Sequence, residues 1–138
     1  MTQENRFEAF GGEAELPRRS FFKAARLGFR CKCPNCGETE IFESYLKVKP
    51  VCESCGEELF HHRADDLPAY LNIFVVGHVV IAAMMVIMTY ELMGMWQTMF
   101  VTIGLCVAAS LILMRPLKGM VVGTQWALRM HGFGGHDD

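Results

Sequence analysis

Between Tyr70 and Met114 the sequence has no lysine and no arginine, and its one acidic residue there is Glu91. A run of that length without basic charge excludes an ordinary soluble domain. Two helices apolar on every side need a large surrounding protein to bury them, and a chain of 138 residues does not supply one. Other absences narrow the function. No Ser-His-Asp arrangement, phosphate-binding glycine loop or dinucleotide fingerprint occurs, so no reaction is assigned and no catalytic residue is nominated. The formal net charge is only −2, which by itself points to no partner. A cleavable secretory signal is also missing. Arg18-Arg19-Ser20-Phe21-Phe22-Lys23 resembles a twin-arginine export signal, but such a signal needs an apolar stretch behind it. Here Ala24 to Arg30 carries two arginines and runs into the cysteines.

What is present divides the chain. Residues 1–16 are acidic, contain glycine and show no sustained period, as expected of a mobile tail. Residues 17–30 form a short basic amphipathic segment. Pro17 suits a first helical position, and Phe22, Ala25 and Phe29 follow at helical spacing among Arg18, Arg19, Lys23, Arg26 and Arg30. Residues 31–69 carry the cysteines and a junction. Ile41 to Val48 is rich in aromatic and β-branched residues with Phe42, Leu46 and Val48 on one face, which predicts a strand ended by Pro50.

Residues 70–114 predict a transmembrane hairpin. Residues 70–90 and 96–114 are each long enough, at about 1.5 Å per residue, to cross a hydrocarbon core of about 30 Å. Tyr70, Tyr90 and Trp96 sit at segment ends, where aromatic belts form. All thirteen basic residues except Arg115, Lys118 and Arg129 precede residue 70, and those three follow the second span. With both flanks basic and the short connection free of Lys and Arg, the positive-inside rule places both termini in the cytoplasm. Within residues 115–138, Leu117, Met120, Val121, Thr124 and Leu128 recur at helical spacing, predicting a short amphipathic helix at the cytoplasmic interface. The fold class is therefore a small four-cysteine zinc ribbon (β), then an α-helical two-span transmembrane hairpin and a short C-terminal amphipathic helix.

The strongest chemical signal is Cys33-Pro34-Asn35-Cys36-Gly37 paired with Cys52-Glu53-Ser54-Cys55-Gly56. Each knuckle puts two sulfurs on one tight turn, and the glycine after the second cysteine permits the dihedrals that turn needs. Two such turns brought together present four thiolates in a tetrahedron, which fits a zinc ion. Iron is the alternative occupant, since soft sulfur donors do not separate the two. A four-sulfur shell leaves no open position for water, so the site reads as structural. A segment of this size buries too little surface to fold alone, so the metal would hold it together. Cys31 lies outside the quartet as a free thiol or a substitute for Cys33, and Cys106 reads as an apolar filler in the second span.

Beyond the cysteines, His61, His62, Asp65 and Asp66 crowd the junction before the first span and form a candidate metal or anion site, or else a locally bonded polar junction. His78 lies within the first span, where polar groups are costly and often functional; a bond across to Thr102 or Ser110 is the plainer reading. Ten methionines raise Cu(I), but those from Met84 to Met99 do not share one helix face. Gly104 and Ala108 offer a small-residue face for helix packing.

The two knuckles, the run His61-His62-Arg63-Ala64-Asp65-Asp66-Leu67-Pro68-Ala69-Tyr70, Gly77-His78 and the tail Lys118-Gly119 to Gln125-Trp126-Ala127-Leu128 together resemble the DUF983 family, over roughly residues 28–133. That family comprises uncharacterised, zinc-ribbon-like bacterial membrane proteins. The resemblance implies no activity, but it implies residence in the bacterial inner membrane and raises interest in His61, His62, Asp65, Asp66 and His78. Members in some bacteria lie near genes for cytochrome oxidase assembly, an association only. The expected function is a non-enzymatic membrane factor that holds a zinc platform for a protein partner, with assembly of a respiratory complex as the role the association suggests. The alternatives are redox or metal handling, with iron in the four-cysteine site or copper near His78, and binding of nucleic acid or anionic lipid by the basic segment. Nucleic acid ranks last, because the chain is near neutral and has no aromatic platform for stacking bases.

Overall fold

The computed structural model describes residues 19–63 and 66–133. The expected tail over residues 1–16, the helix start at Pro17, and Asp65 lie outside the described residues. Among the described residues three helices form: α1 (Phe21–Phe29), α2 (Leu67–Thr89) and α3 (Met95–Ala127). Helices α2 and α3 pair as the hairpin, and α1 packs on the far end of α3.

The hairpin helices are long and apolar enough to cross a membrane. Their most apolar stretches are only 17% and 6% buried within the chain, so they are not core helices of a soluble domain. Ile73, Phe74, Ile81 and Met85 on α2, with Phe100 and Ile112 on α3, project outward where lipid would cover them. Between the helices, Gln97 reaches back to accept the Gly94 N–H at 3.1 Å, and the Thr98 hydroxyl donates to the Gly94 carbonyl. Gly104 and Ala108 do not serve the hairpin seam: both are exposed, and a methyl group built on Gly104 would meet nothing within 4 Å. Cys106 is likewise exposed and fills no interior gap.

The expected separate C-terminal helix is the last part of α3, which runs unbroken for 33 residues, about 50 Å, through Pro116. Proline removes one intrahelical bond. Here the cysteine segment braces the helix on both sides of it. The Tyr45 hydroxyl donates to the Leu111 carbonyl, Arg115 pairs with Glu40, and Lys118 Nζ donates to the Leu46 carbonyl at 2.8 Å. Nor is this part of α3 a surface-lying helix. Leu117, Gly119, Val121, Val122, Gly123, Gln125 and Trp126 are buried against protein.

Those contacts also explain α1. The face it packs on α3 is Ala24 and Gly28, while Phe22, on the apolar side read from the sequence, is 83% exposed. Ala24-x-x-x-Gly28 crosses Gly119-x-x-x-Gly123 backbone to backbone. A methyl group added at Gly28 would fall 2.2 Å from the Gly119 carbonyl oxygen, and one at Gly123 would fall 2.4 Å from that of Ala24. Small residues at this spacing let helices approach closely.

The predicted strand over 41–48 does not form; among the described residues only isolated antiparallel bridges occur, at Lys32–Glu40, Phe42–Val48 and Val51–Glu58. Phe42 pairs with Val48, so the segment doubles back on itself. The Glu43 N–H donates to the Lys47 carbonyl and the Lys49 N–H to the Ile41 carbonyl, both at 2.8 Å. Three short turns leave no room for a ladder, and Pro50 lacks a donor to extend one. The core is shared instead: Ile41, Phe42, Val48 and Leu59 from this segment pack with Val121 and Val122 of α3.

Candidate metal centre

The first knuckle follows directly from the end of α1. Lys32 N–H returns to the Leu27 carbonyl and Cys31 N–H to that of Gly28, so Cys31 takes a left-handed backbone (φ 60°) and turns the chain into the cysteines. Both knuckles then close alike. Gly37 N–H donates to the Cys33 carbonyl at 2.9 Å, and Gly56 N–H to that of Cys52 at 3.0 Å. Gly37 and Gly56 have φ of 74° and 71°, a region that disfavours a side chain.

The two turns bring Cys33, Cys36, Cys52 and Cys55 together with all four sulfurs within 4.8 Å of one another. Cys33 and Cys55 lie 3.8 Å apart, as do Cys36 and Cys52. A tetrahedron with metal–sulfur bonds of about 2.3 Å has edges of about 3.8 Å, so these two opposite edges match a tetrathiolate site and the remaining ones lie within 4.8 Å. Its electrostatics are mixed in the absence of a cation. Burial pushes the Cys33 thiol strongly up and Cys55 up as well. For Cys52, burial opposes ionisation, but the Cys55 amide, the Thr39 hydroxyl and the Ser54 amide outweigh it and hold the thiol down to about 6. Burial also opposes ionisation of Cys36, and the amides of Glu38 and Thr39 prevail there. Four thiolates this close repel unless a cation sits between them, which is the chemistry of a metal-binding quartet. Cys31 belongs to the core beside the quartet and not to it; burial raises its thiol, and Arg115 works in the other direction.

A second layer ties the knuckles to the rest of the molecule, and sequence reading missed it. Asn35, inside the first knuckle, donates to Cys55 Sγ at 3.6 Å and to Glu57 Oε2 at 3.1 Å. Glu57 Oε1 accepts the Trp126 indole N–H at 2.6 Å and lies 3.6 Å from the Arg19 guanidinium. Arg19 stacks 4.2 Å over the Trp126 ring and donates to the carbonyls of Trp126 and Phe133. The chain Cys55–Asn35–Glu57–Trp126–Arg19 thus joins the second knuckle to α3 and to the residues entering α1. An amide between two knuckle cysteines was the available signal for Asn35. Nothing local marked Glu57 or Arg19.

The other candidates among the described residues do not converge. Among the described residues the quartet is the group of His, Cys, Asp and Glu donors close enough to share an ion. His61 lies against Phe60 and Phe133 and meets Glu58 at 3.1 Å. The ring of His62 bonds the Leu59 carbonyl at 2.7 Å. Asp66 takes the N-cap position of α2 without a side-chain bond to it. His78 bonds neither Thr102 nor Ser110; its Nδ1 meets the Phe74 carbonyl at 2.7 Å, one turn back in its own helix. Asn72 and Thr102 each bury an oxygen that has no partner. The junction is instead held by Gln125 of α3, which accepts the Arg63 N–H and donates to the Arg63 carbonyl.

Comparison with protein-family models matches a protein of unknown function, DUF983, over residues 42–126. The matched stretch includes Cys52, Cys55 and both hairpin helices, and begins after Cys33 and Cys36. No curated protein and no solved structure matches the chain.

Proposed function

The chain belongs to the DUF983 family, and from that premise we propose that this membrane metal-binding protein is a non-enzymatic assembly factor whose four cysteines hold a structural zinc ion. The observation that carries the reading is the route from the sulfur cage through Asn35 and Glu57 to Trp126 and Arg19. A metal placed there would fix a rigid platform to the end of a transmembrane helix. The donor set supports zinc: four thiolates at tetrahedral spacing make a closed shell with no position for water or substrate. The platform presents its outer knuckle edge, including Cys55 and Ser54, together with the exposed face of α1.

In this reading the hairpin sits in the bacterial inner membrane with both termini cytoplasmic, because basic residues flank both spans and none lies in the connection. The platform then faces the cytoplasm and takes a protein partner, a respiratory complex under assembly. The test is metal content by mass spectrometry on the full chain purified without added metal, beside Cys33→Ser. One zinc per chain, lost in the variant, is expected. Stoichiometric iron or copper in the quartet would replace this reading with electron or metal transfer.

A further inference from the structure

At the opposite end of the hairpin, the ends of α2 and α3 and their connection enclose an open cavity of about 1030 Å³. Five methionines line it: Met84, Met88, Met93, Met95 and Met99. Met84 and Met88 are one turn apart on α2, Met95 and Met99 one turn apart on α3, and Met93 comes from the connection. Residues four apart share a helix face, so each helix lines the cavity with one methionine pair, and Met93 lines it from the connection. These methionines lack one common helix face in the sequence and gain a common cavity only through the antiparallel turn.

We propose that this cavity is a binding site for a soft monovalent cation, Cu(I), held by thioether sulfurs. Thioethers are soft neutral donors that suit Cu(I) and serve Zn(II) or Mg(II) poorly. A single positive charge is also less costly than a double one in a poorly solvated site. The cavity contains its own counter-charge. Glu91, the one acid between Tyr70 and Met114, is among its lining residues. Its backbone is left-handed (φ 47°) at the end of α2, a place where glycine is the default and a carboxylate is held against that preference. Thr102 contributes a buried hydroxyl that has no partner. Methionine's three rotatable bonds let the sulfurs close in from a roomy cavity.

The test uses the full-length, zinc-loaded Cys31→Ser/Cys106→Ser protein in lipid nanodiscs, because those two thiols outside the quartet would take silver first; methionine methyl groups are labelled with carbon-13 and silver(I) is the redox-inert stand-in for Cu(I). Expected are saturable shifts of the five lining methyl signals at one silver ion per chain. Met85, Met114, Met120 and Met130 stay in place and zinc is retained. The volume-conserving variant Met84→Leu/Met88→Leu/Met95→Leu/Met99→Leu keeps its helix content and its zinc and loses that silver equivalent. Uniform shifts of all methionines, or shifts that begin only as zinc leaves the cysteines, would overturn the proposal. So would lining shifts produced by a long-chain amphiphile and not by silver, which would make the cavity an acyl-chain site. Zinc content is read separately, so failure here leaves the cysteine quartet untouched.

Discussion

The two ends of α3 are held by different means. Its C-terminal end is tied by contacts distant in sequence: Arg19 to Trp126, Glu57 to Trp126, Arg63 to Gln125 and Lys118 to Leu46. Its N-terminal end is closed by neighbours, with Gln97 and Thr98 bonding Gly94. Local bonds form wherever the helix forms. Distant ones need the cysteine segment already folded, and among the described residues that segment has no regular strand or helix of its own. If the quartet holds a metal, order at the C-terminal end should depend on it, while the hairpin end should depend on apolar surroundings and adaptable methionine packing.

The sharpest way to break this comparison is to remove the metal. Cys52→Ser, or a strong chelator, should release the ion and unfold residues 30–63, since tetrathiolate binding contributes on the order of 10 kcal/mol to small folds of this kind. Hydrogen exchange should rise across the knuckles, α1 and the last turns of α3, and stay low from 70 to 110. Equal exchange along both halves would show that the hairpin needs the metal too.

Next in size are the glycines of the helix crossing. Gly28→Ala places a methyl group against the Gly119 backbone. The separation it forces should cost about 3 kcal/mol, the upper range for overpacking, and outweigh the better helix propensity of alanine. Gly104→Ala meets open space and should be neutral or stabilise by up to about 1 kcal/mol. Unfolding in detergent micelles reads both, and equal effects would mean that α1 does not pack as described. Glu57→Gln is milder. It keeps the shape but removes the charge facing Arg19 and weakens the acceptor for the Trp126 indole. A loss of about 1–3 kcal/mol with metal content unchanged is expected, because both partners would be left poorly paired.

How much of this was legible beforehand depends on distance along the chain. The quartet was readable because Cys-x-x-Cys fixes the geometry of each turn and the two knuckles match. The spans were readable because membrane thickness sets a minimum apolar length. The length of α3 was not. Arg115-Pro116 reads as a break, and the braces that carry the helix past it come from Tyr45, Glu40 and Leu46. The strand over 41–48 failed because Phe42 and Val48 alternate correctly but pair with each other. The methionine cavity stayed hidden because its donors occupy separate helices, and a single-helix face count has no access to a turn between them.

The smallest effect probes that same turn. Each of the three helices ends on a non-glycine residue in the left-handed region: Cys31, Glu91 and Arg129. Replacing such a residue by glycine relieves about 1 kcal/mol of backbone strain, offset in part by glycine's greater freedom when unfolded. At Cys31 the gain should vanish, because its side chain packs against the core and the substitution gives up that burial. Glu91 is exposed at the hairpin end with no core beneath it. Glu91→Gly should therefore raise the unfolding midpoint by a degree or two, on the order of 0.5 kcal/mol, while Cys31→Gly lowers it. Calorimetry of both variants in nanodiscs separates the cases. A destabilised Glu91→Gly would mean that the carboxylate makes a bond at the hairpin end, and that this end too is held by something beyond its own local turns.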